Sequence, residues 1–146
     1  REERRDLFQS SMRKRVINIL FGITMARPKL FYDGACPLCR KEINHYIKID
    51  RLKAIEWIDI TQDRLALENE GLDFAQTMRL IHATDAQGER RIGVYAFLTI
   101  WDQLPGYRYL AKTIRLTRTT GLLNRLYYRF ANWRYARRCK EGCQIN

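Results

Sequence analysis

Apolar and polar positions along the chain change period several times, and each change marks an element. Leu30-Phe31-Tyr32 is a short apolar run that stops at the turn pair Asp33-Gly34, which predicts a strand over Lys29–Tyr32. From Pro37 the period becomes helical. Leu38, Ile43, Tyr46, Ile47 and Ile49 form a stripe to about Asp50, and Pro37 takes the first helical position, where its missing N–H is no loss. Ala54–Ile60 is β-rich and nearly apolar on both faces, the pattern of a central strand. Gln62–Glu70 reads as a short helix closed by Gly71, and Thr77–Ala83 as a further strand. Asp85-Ala86-Gln87-Gly88 is a turn into a short strand at Glu89–Ile92, making a hairpin. Gly93 opens a helix from about Val94 to Leu104, stopped by Pro105-Gly106. Two more helices follow, over about Tyr107–Leu116 and Thr120–Arg138.

The order is β-α-β, then β-β-α, then extra helices, which is an α/β class. The first pair of strands is expected to be parallel and the later hairpin to add an antiparallel edge. Pro105-Gly106 is the clear seam. Residues 1–28 form an N-terminal basic segment, 29–105 the domain proper, and 106–146 a basic helical extension packed on it.

Composition narrows this picture. With 146 residues, 46% of them hydrophobic, wholesale disorder is ruled out. A chain of this size buries about two-thirds of its unfolded surface, so it needs no disulfide or metal merely to fold. The net charge of +11 is unevenly spread: +4 over residues 1–28, −2 over 29–105 and +9 over 106–146. The basic flanks bear on surfaces and partners rather than on fold. In the first flank, Met12-Arg13-Lys14-Arg15 precedes an apolar run from Val16 to Ala26, which imitates a signal peptide. The run is shorter than the roughly 20 apolar residues of a membrane span. Phe8, Met12, Ile19 and Ile23 fall at helical spacing, so an amphipathic N-terminal helix is expected. A signal or surface anchor, and a biological start at Met25, are the alternatives.

The four cysteines come as two tight pairs, Cys36/Cys39 and Cys139/Cys143. Cys36-Pro37-Leu38-Cys39 stands at the start of a helix, where unpaired backbone N–H groups and the positive end of the helix dipole favour an anion. Cys36 is therefore expected to be partly thiolate, the attacking species. Arg40 and Lys41 add positive charge beside it. Cys39, about one helical turn on, can resolve a mixed disulfide formed on Cys36. The competing reading is a zinc site in which all four cysteines serve as ligands of an interaction module. The long gap between the pairs and the CxxxC form of the second weigh against it.

Phe31-Tyr32-Asp33-Gly34-Ala35-Cys36-Pro37-Leu38-Cys39-Arg40 resembles the signature of the DCC family of predicted thiol-disulfide oxidoreductases, named for Asp-x-x-Cys-x-x-Cys. The likeness continues through Asp85-Ala86-Gln87-Gly88, Ala96-Phe97, Trp101, Leu104-Pro105-Gly106-Tyr107 and Tyr127, covering about residues 29–146. It implies a thioredoxin-like fold and dithiol exchange with a protein or small-molecule thiol or disulfide, without cofactor or metal. One departure stands out. Thioredoxins place a cis-proline beside the dithiol, but the matching region here reads Ala75-Gln76-Thr77-Met78, and Pro28, Pro37 and Pro105 are the only prolines. Thr77 or Met78 is expected against the dithiol instead.

Asp33 has two readings: a carboxylate that accepts or supplies protons during exchange, or one that bonds the loop amides. Cys139 and Cys143 are either a second, relaying dithiol or a local pair near a chain end. In the last helix Leu123, Leu126, Tyr127, Phe130 and Trp133 form an apolar stripe, expected to pack on the core. Arg125, Arg129, Arg137 and Arg138 form a basic face expected to be solvated. No nucleic-acid motif is present, and peripheral membrane contact through the basic helices is the lesser alternative. His45 and His82 stand alone and are expected to be structural. The cytoplasm is the expected compartment.

Overall fold

Leu30 and Phe31 point to opposite faces of the first strand, and both are fully buried. That single fact demands helices on both faces of a sheet. The computed structural model describes residues 26–140, with side chains to Arg138, and it supplies them. The elements are β1 (Lys29–Tyr32), α1 (Pro37–Ile49), β2 (Glu56–Asp59), α2 (Arg64–Asn69), α3 (Phe74–Arg79), β3 (His82–Thr84), β4 (Arg90–Ile92), α4 (Val94–Trp101), α5 (Tyr107–Leu116) and α6 (Thr120–Lys140). The expected N-terminal helix and the second cysteine pair, Cys139 and Cys143, lie outside the described residues and side chains.

The sheet runs β2-β1-β3-β4. β1 pairs in parallel with β2, Lys29 opposite Glu56, and antiparallel with β3, Leu30 opposite Ala83. β3 then pairs antiparallel with β4. A parallel pair needs a long crossover, which α1 provides. This is the thioredoxin-like α/β arrangement. On one face Leu30 packs with Ile43 and Tyr46 of α1, Ile55, Ala83, and Ala96 and Ile100 of α4. On the other, Phe31 packs with Ile58, Ile60, Leu67 of α2 and Met78 of α3. Burying a side chain such as Phe31 contributes about 1.5–3 kcal/mol. A third cluster, Val94, Leu98, Ala111 and Ile114, joins α4 to α5.

Several local devices set the connections. Asp50 accepts from Ala54 N, Ile55 N and Trp57 Nε1, and so turns the chain from α1 into β2. Gly93 precedes α4 with φ +68 and has no side chain with which to cap it. Asn124 of α6 does so from a distance, its Oδ1 accepting from Val94 N at 3.1 Å. Tyr127 fixes the same helix to the sheet, its hydroxyl accepting from Ile81 N.

Four expectations are corrected. Ala54–Ile60 holds an edge strand, not a central one, because its apolar residues answer to helices over both faces rather than to neighbouring strands. The strand expected over Thr77–Ala83 forms only at its end. Asp73 accepts from Gln76 N and its carbonyl from Thr77 Oγ1, and this cap draws residues 74–79 into α3. In α1, Leu38 and Ile47 are exposed, and the buried stripe narrows to Ile43 and Tyr46. In α6 the stripe divides. Leu123 and Tyr127 pack inward, while Leu126, Phe130 and Trp133 are 52%, 42% and 53% exposed.

Candidate active site

The loop leaving β1 is pinned from beneath. Asp59 Oδ1 accepts from Gly34 N at 3.1 Å, from Thr61 N at 2.9 Å and from Thr61 Oγ1 at 2.6 Å. The carboxylate sits so close that a Cβ at residue 34 would lie 1.8 Å from its Oδ2, so only glycine fits. The chain then turns, Cys36 N donating to Asp33 O, and enters α1 with Cys36 at the N-cap and Pro37 behind it. Cys36 is 4% exposed, yet Ala35, Pro37 and Leu38 around it are exposed. Both Cys36 and Cys39 are free thiols.

Two arginines of α6 reach this loop, one helical turn apart. Arg138 donates from Nε to Asp33 Oδ2 at 2.8 Å and from a second nitrogen to Oδ1 at 3.3 Å. Asp33 itself is 3% exposed and also accepts from Ala35 N. Arg134 donates from Nη1 to Cys39 Sγ and from Nη2 to the carbonyls of Met78 and Arg79, each at 3.1 Å. The charge at the dithiol thus comes from Arg134, whereas Arg40 and Lys41 are exposed. The solvated basic face expected of α6 is corrected at Arg138, drawn inward by the buried Asp33. Arg134, absent from that expectation, is drawn in by the sulfurs and by the α3 carbonyls.

These surroundings separate the two thiols. Burial pushes the Cys36 thiol up, but hydrogen bonds from the Cys39 backbone and thiol, with the Arg134 guanidinium, more than offset it and hold Cys36 below the ordinary value. Burial pushes Cys39 up to about 12, opposed by Arg134 and reinforced by Cys36 and Asp33. A cavity of about 40 Å³, lined by Asp33, Cys39, Glu42, Thr77, Met78 and Arg134 among others, adjoins the Cys39 member of the pair. Thr77 and Met78 therefore do stand near the dithiol, and no cis peptide occurs among the described residues.

A larger hollow of about 410 Å³ lies elsewhere, and no cysteine lines it. Its Asp85 and Asp102 are paired with Arg91 and Arg115. His45 bonds Tyr107, and the buried His82 bonds Leu80 O, its imidazole pushed down by burial. Among the described residues, no group of three His, Cys, Asp or Glu could hold a metal ion. No motif signals Arg134 or Arg138. The faint sign was their i, i+4 spacing in line with Tyr127 and Ala131 on one face of the helix.

Comparison with known proteins agrees with this geometry. No solved structure matches the chain. An uncharacterized chloroplastic protein of Arabidopsis thaliana is 35% identical over 78 residues, covering 52% of this chain and 36% of that protein. The chain therefore spans about a third of that relative's length. The family model described as DCC1-like thiol-disulfide oxidoreductase matches residues 30–140, from β1 through both site arginines. With strand, dithiol loop and closing helix all inside that match, the chain belongs to the DCC1-like thiol-disulfide oxidoreductase family.

Proposed function

We propose that this chain exchanges thiols and disulfides through Cys36 and Cys39, with Cys36 attacking and Cys39 resolving. The observation that carries the reading is a pair of free thiols at the start of α1 that share one guanidinium. The Cys36 thiolate attacks a substrate disulfide, forming one S–S bond, breaking another and expelling a substrate thiolate. Cys39 then loses its proton and attacks Cys36 Sγ. The second substrate thiol leaves, and the Cys36–Cys39 disulfide holds the pair oxidised. Asp33 and Glu42 line the same cavity as Cys39 and are the carboxylates placed to take that proton. Asp33 also positions the loop through Ala35 N and Arg138.

Ala35, Pro37 and Leu38 around Cys36 are exposed, so a disulfide of a protein or a small molecule would meet the site on that side. The four-cysteine zinc reading would have to seat a second cation beside Arg134 at Cys39, whereas thiolate chemistry uses that guanidinium. The test is capture on the full chain. Cys39→Ser should leave a substrate disulfide-linked to Cys36, and Cys36→Ser should abolish turnover of a disulfide substrate. Full activity in Cys36→Ser, or one zinc per chain in reduced protein, would overturn the proposal.

A further inference from the structure

Resting on the exchange reading above, we infer that Arg134 sets the redox poise of the pair, stabilising the reduced dithiol and raising its reduction potential. The guanidinium does not owe its place to the sulfurs alone. The last carbonyls of a helix have no intrahelical partner and carry the negative end of its dipole. Arg134 Nη2 satisfies those of Met78 and Arg79 at the end of α3, so the cation is already fixed there. Nη1 then meets Cys39 Sγ.

Of the other charges around the dithiol, Asp33 and Arg138 answer each other and Glu42 accepts from the Tyr46 hydroxyl. From α1 come Cys36, Cys39 and Glu42; from the loop after β1, Asp33; from α6, Tyr127, Arg134 and Arg138; α3 brings only Thr77, Met78 and its carbonyls. Arg138 answers Asp33 with two hydrogen bonds, which leaves Arg134 as the cation facing the sulfurs. In the disulfide form the sulfurs are neutral and gain nothing from it. In the reduced form a sulfur that gives up its proton does. A fixed cation therefore favours the reduced state, and a pair whose reduced state is favoured is the stronger oxidant.

The experiment equilibrates full-length protein with glutathione and its disulfide, and measures the fraction of Cys36–Cys39 disulfide. Reduction consumes two glutathione thiols and yields the dithiol and one glutathione disulfide. One proton is released wherever Cys36 remains a thiolate. Arg134→Gln should shift the equilibrium constant roughly tenfold toward the protein disulfide, and should move the pH profile of Cys36 alkylation upward. Arg134→Lys, which keeps the charge, should stay nearer the wild type on both readouts. No shift in Arg134→Gln, or equal shifts in the two variants, overturns the inference. A wild type that forms no Cys36–Cys39 disulfide at any glutathione ratio would instead sink the exchange reading itself. Should Arg134→Gln not fold, NMR of the wild-type arginine guanidinium groups decides. Arg134 signals should move between reduced and oxidised protein, and unmoved signals overturn the assignment.

Discussion

Cys36 and Cys39 carry the same side chain, and position alone makes them different acids. Cys36 at the N-cap receives hydrogen bonds from Cys39 and feels Arg134, while at Cys39 the cost of burying a charge outweighs what Arg134 returns. The consequence for stability has a definite sign. The folded state holds Cys36 below its unfolded value, so between the two the unfolded chain binds more protons and stability rises with pH. It holds Cys39 above its unfolded value, so above that value, about 8.5, stability falls again. The difference in urea midpoint between reduced wild type and the Cys36→Ser/Cys39→Ser double variant should therefore peak near that pH. A flat difference would contradict the separation of the thiols. A second residue-scale outcome concerns Gly34, whose missing Cβ leaves room for Asp59. Gly34→Ala should cost about 2 kcal/mol by forced displacement, read from denaturant unfolding. The dithiol was legible in the sequence because everything that makes it, from Asp33 to Cys39, is contiguous. Asp59 beneath the loop was not, because nothing local ties it to Gly34.

At the scale of elements, α6 shows where periodicity misleads. Its hydrophobic residues recur at helical spacing, yet Asn124, Tyr127, Ala131, Arg134 and Arg138 face the domain. Each polar member has a specific partner in the domain: Val94 N, Ile81 N, Cys39 Sγ or Asp33. Amphipathic reading counts apolar area and cannot see such partners, which is why it turned Phe130 and Trp133 inward and Arg138 outward. By contrast α1, β1 and α5 were legible, because Pro37, Asp33-Gly34 and Pro105-Gly106 punctuate the chain at their ends. Two outcomes belong here. Asn124→Ala removes the cap of α4 and should cost about 1 kcal/mol in unfolding free energy. Arg138→Ala leaves a buried carboxylate short of its partner and should cost about 2 kcal/mol, with hydrogen exchange quickening first in the last turns of α6.

For the molecule as a whole, the parallel first pair and the antiparallel hairpin follow from the element order read along the chain, whereas the edge place of β2 and the site do not. A β-α-β-β-β-α order admits few arrangements, whereas long-range ion pairs are a matter of individual side chains. The half-exposed Leu126 and Trp133 lie outside the packed clusters. Replacing either by Ser should change stability by less than about 0.5 kcal/mol, while Ala131→Leu, at a fully buried contact, should cost about 1–3 kcal/mol. Thermal melts of the three variants separate the two cases.

Arg134 follows Cys39 by 95 residues, and Arg138 follows Asp33 by 105. On a translating ribosome adding about 5–20 residues per second, the dithiol is made roughly 5–20 s before its arginines exist. For that interval Cys36 and Cys39 lack the guanidinium that they share in the finished fold. The guanidinium's share of the Cys36 thiolate stabilisation is added only when the final helix docks, whereas the hydrogen bonds from Cys39 are local to the start of α1. Alkylation of chains stalled before residue 120 should accordingly find the two cysteines less unequal than in the finished protein, and an unchanged ratio there would show that the loop and α1 suffice.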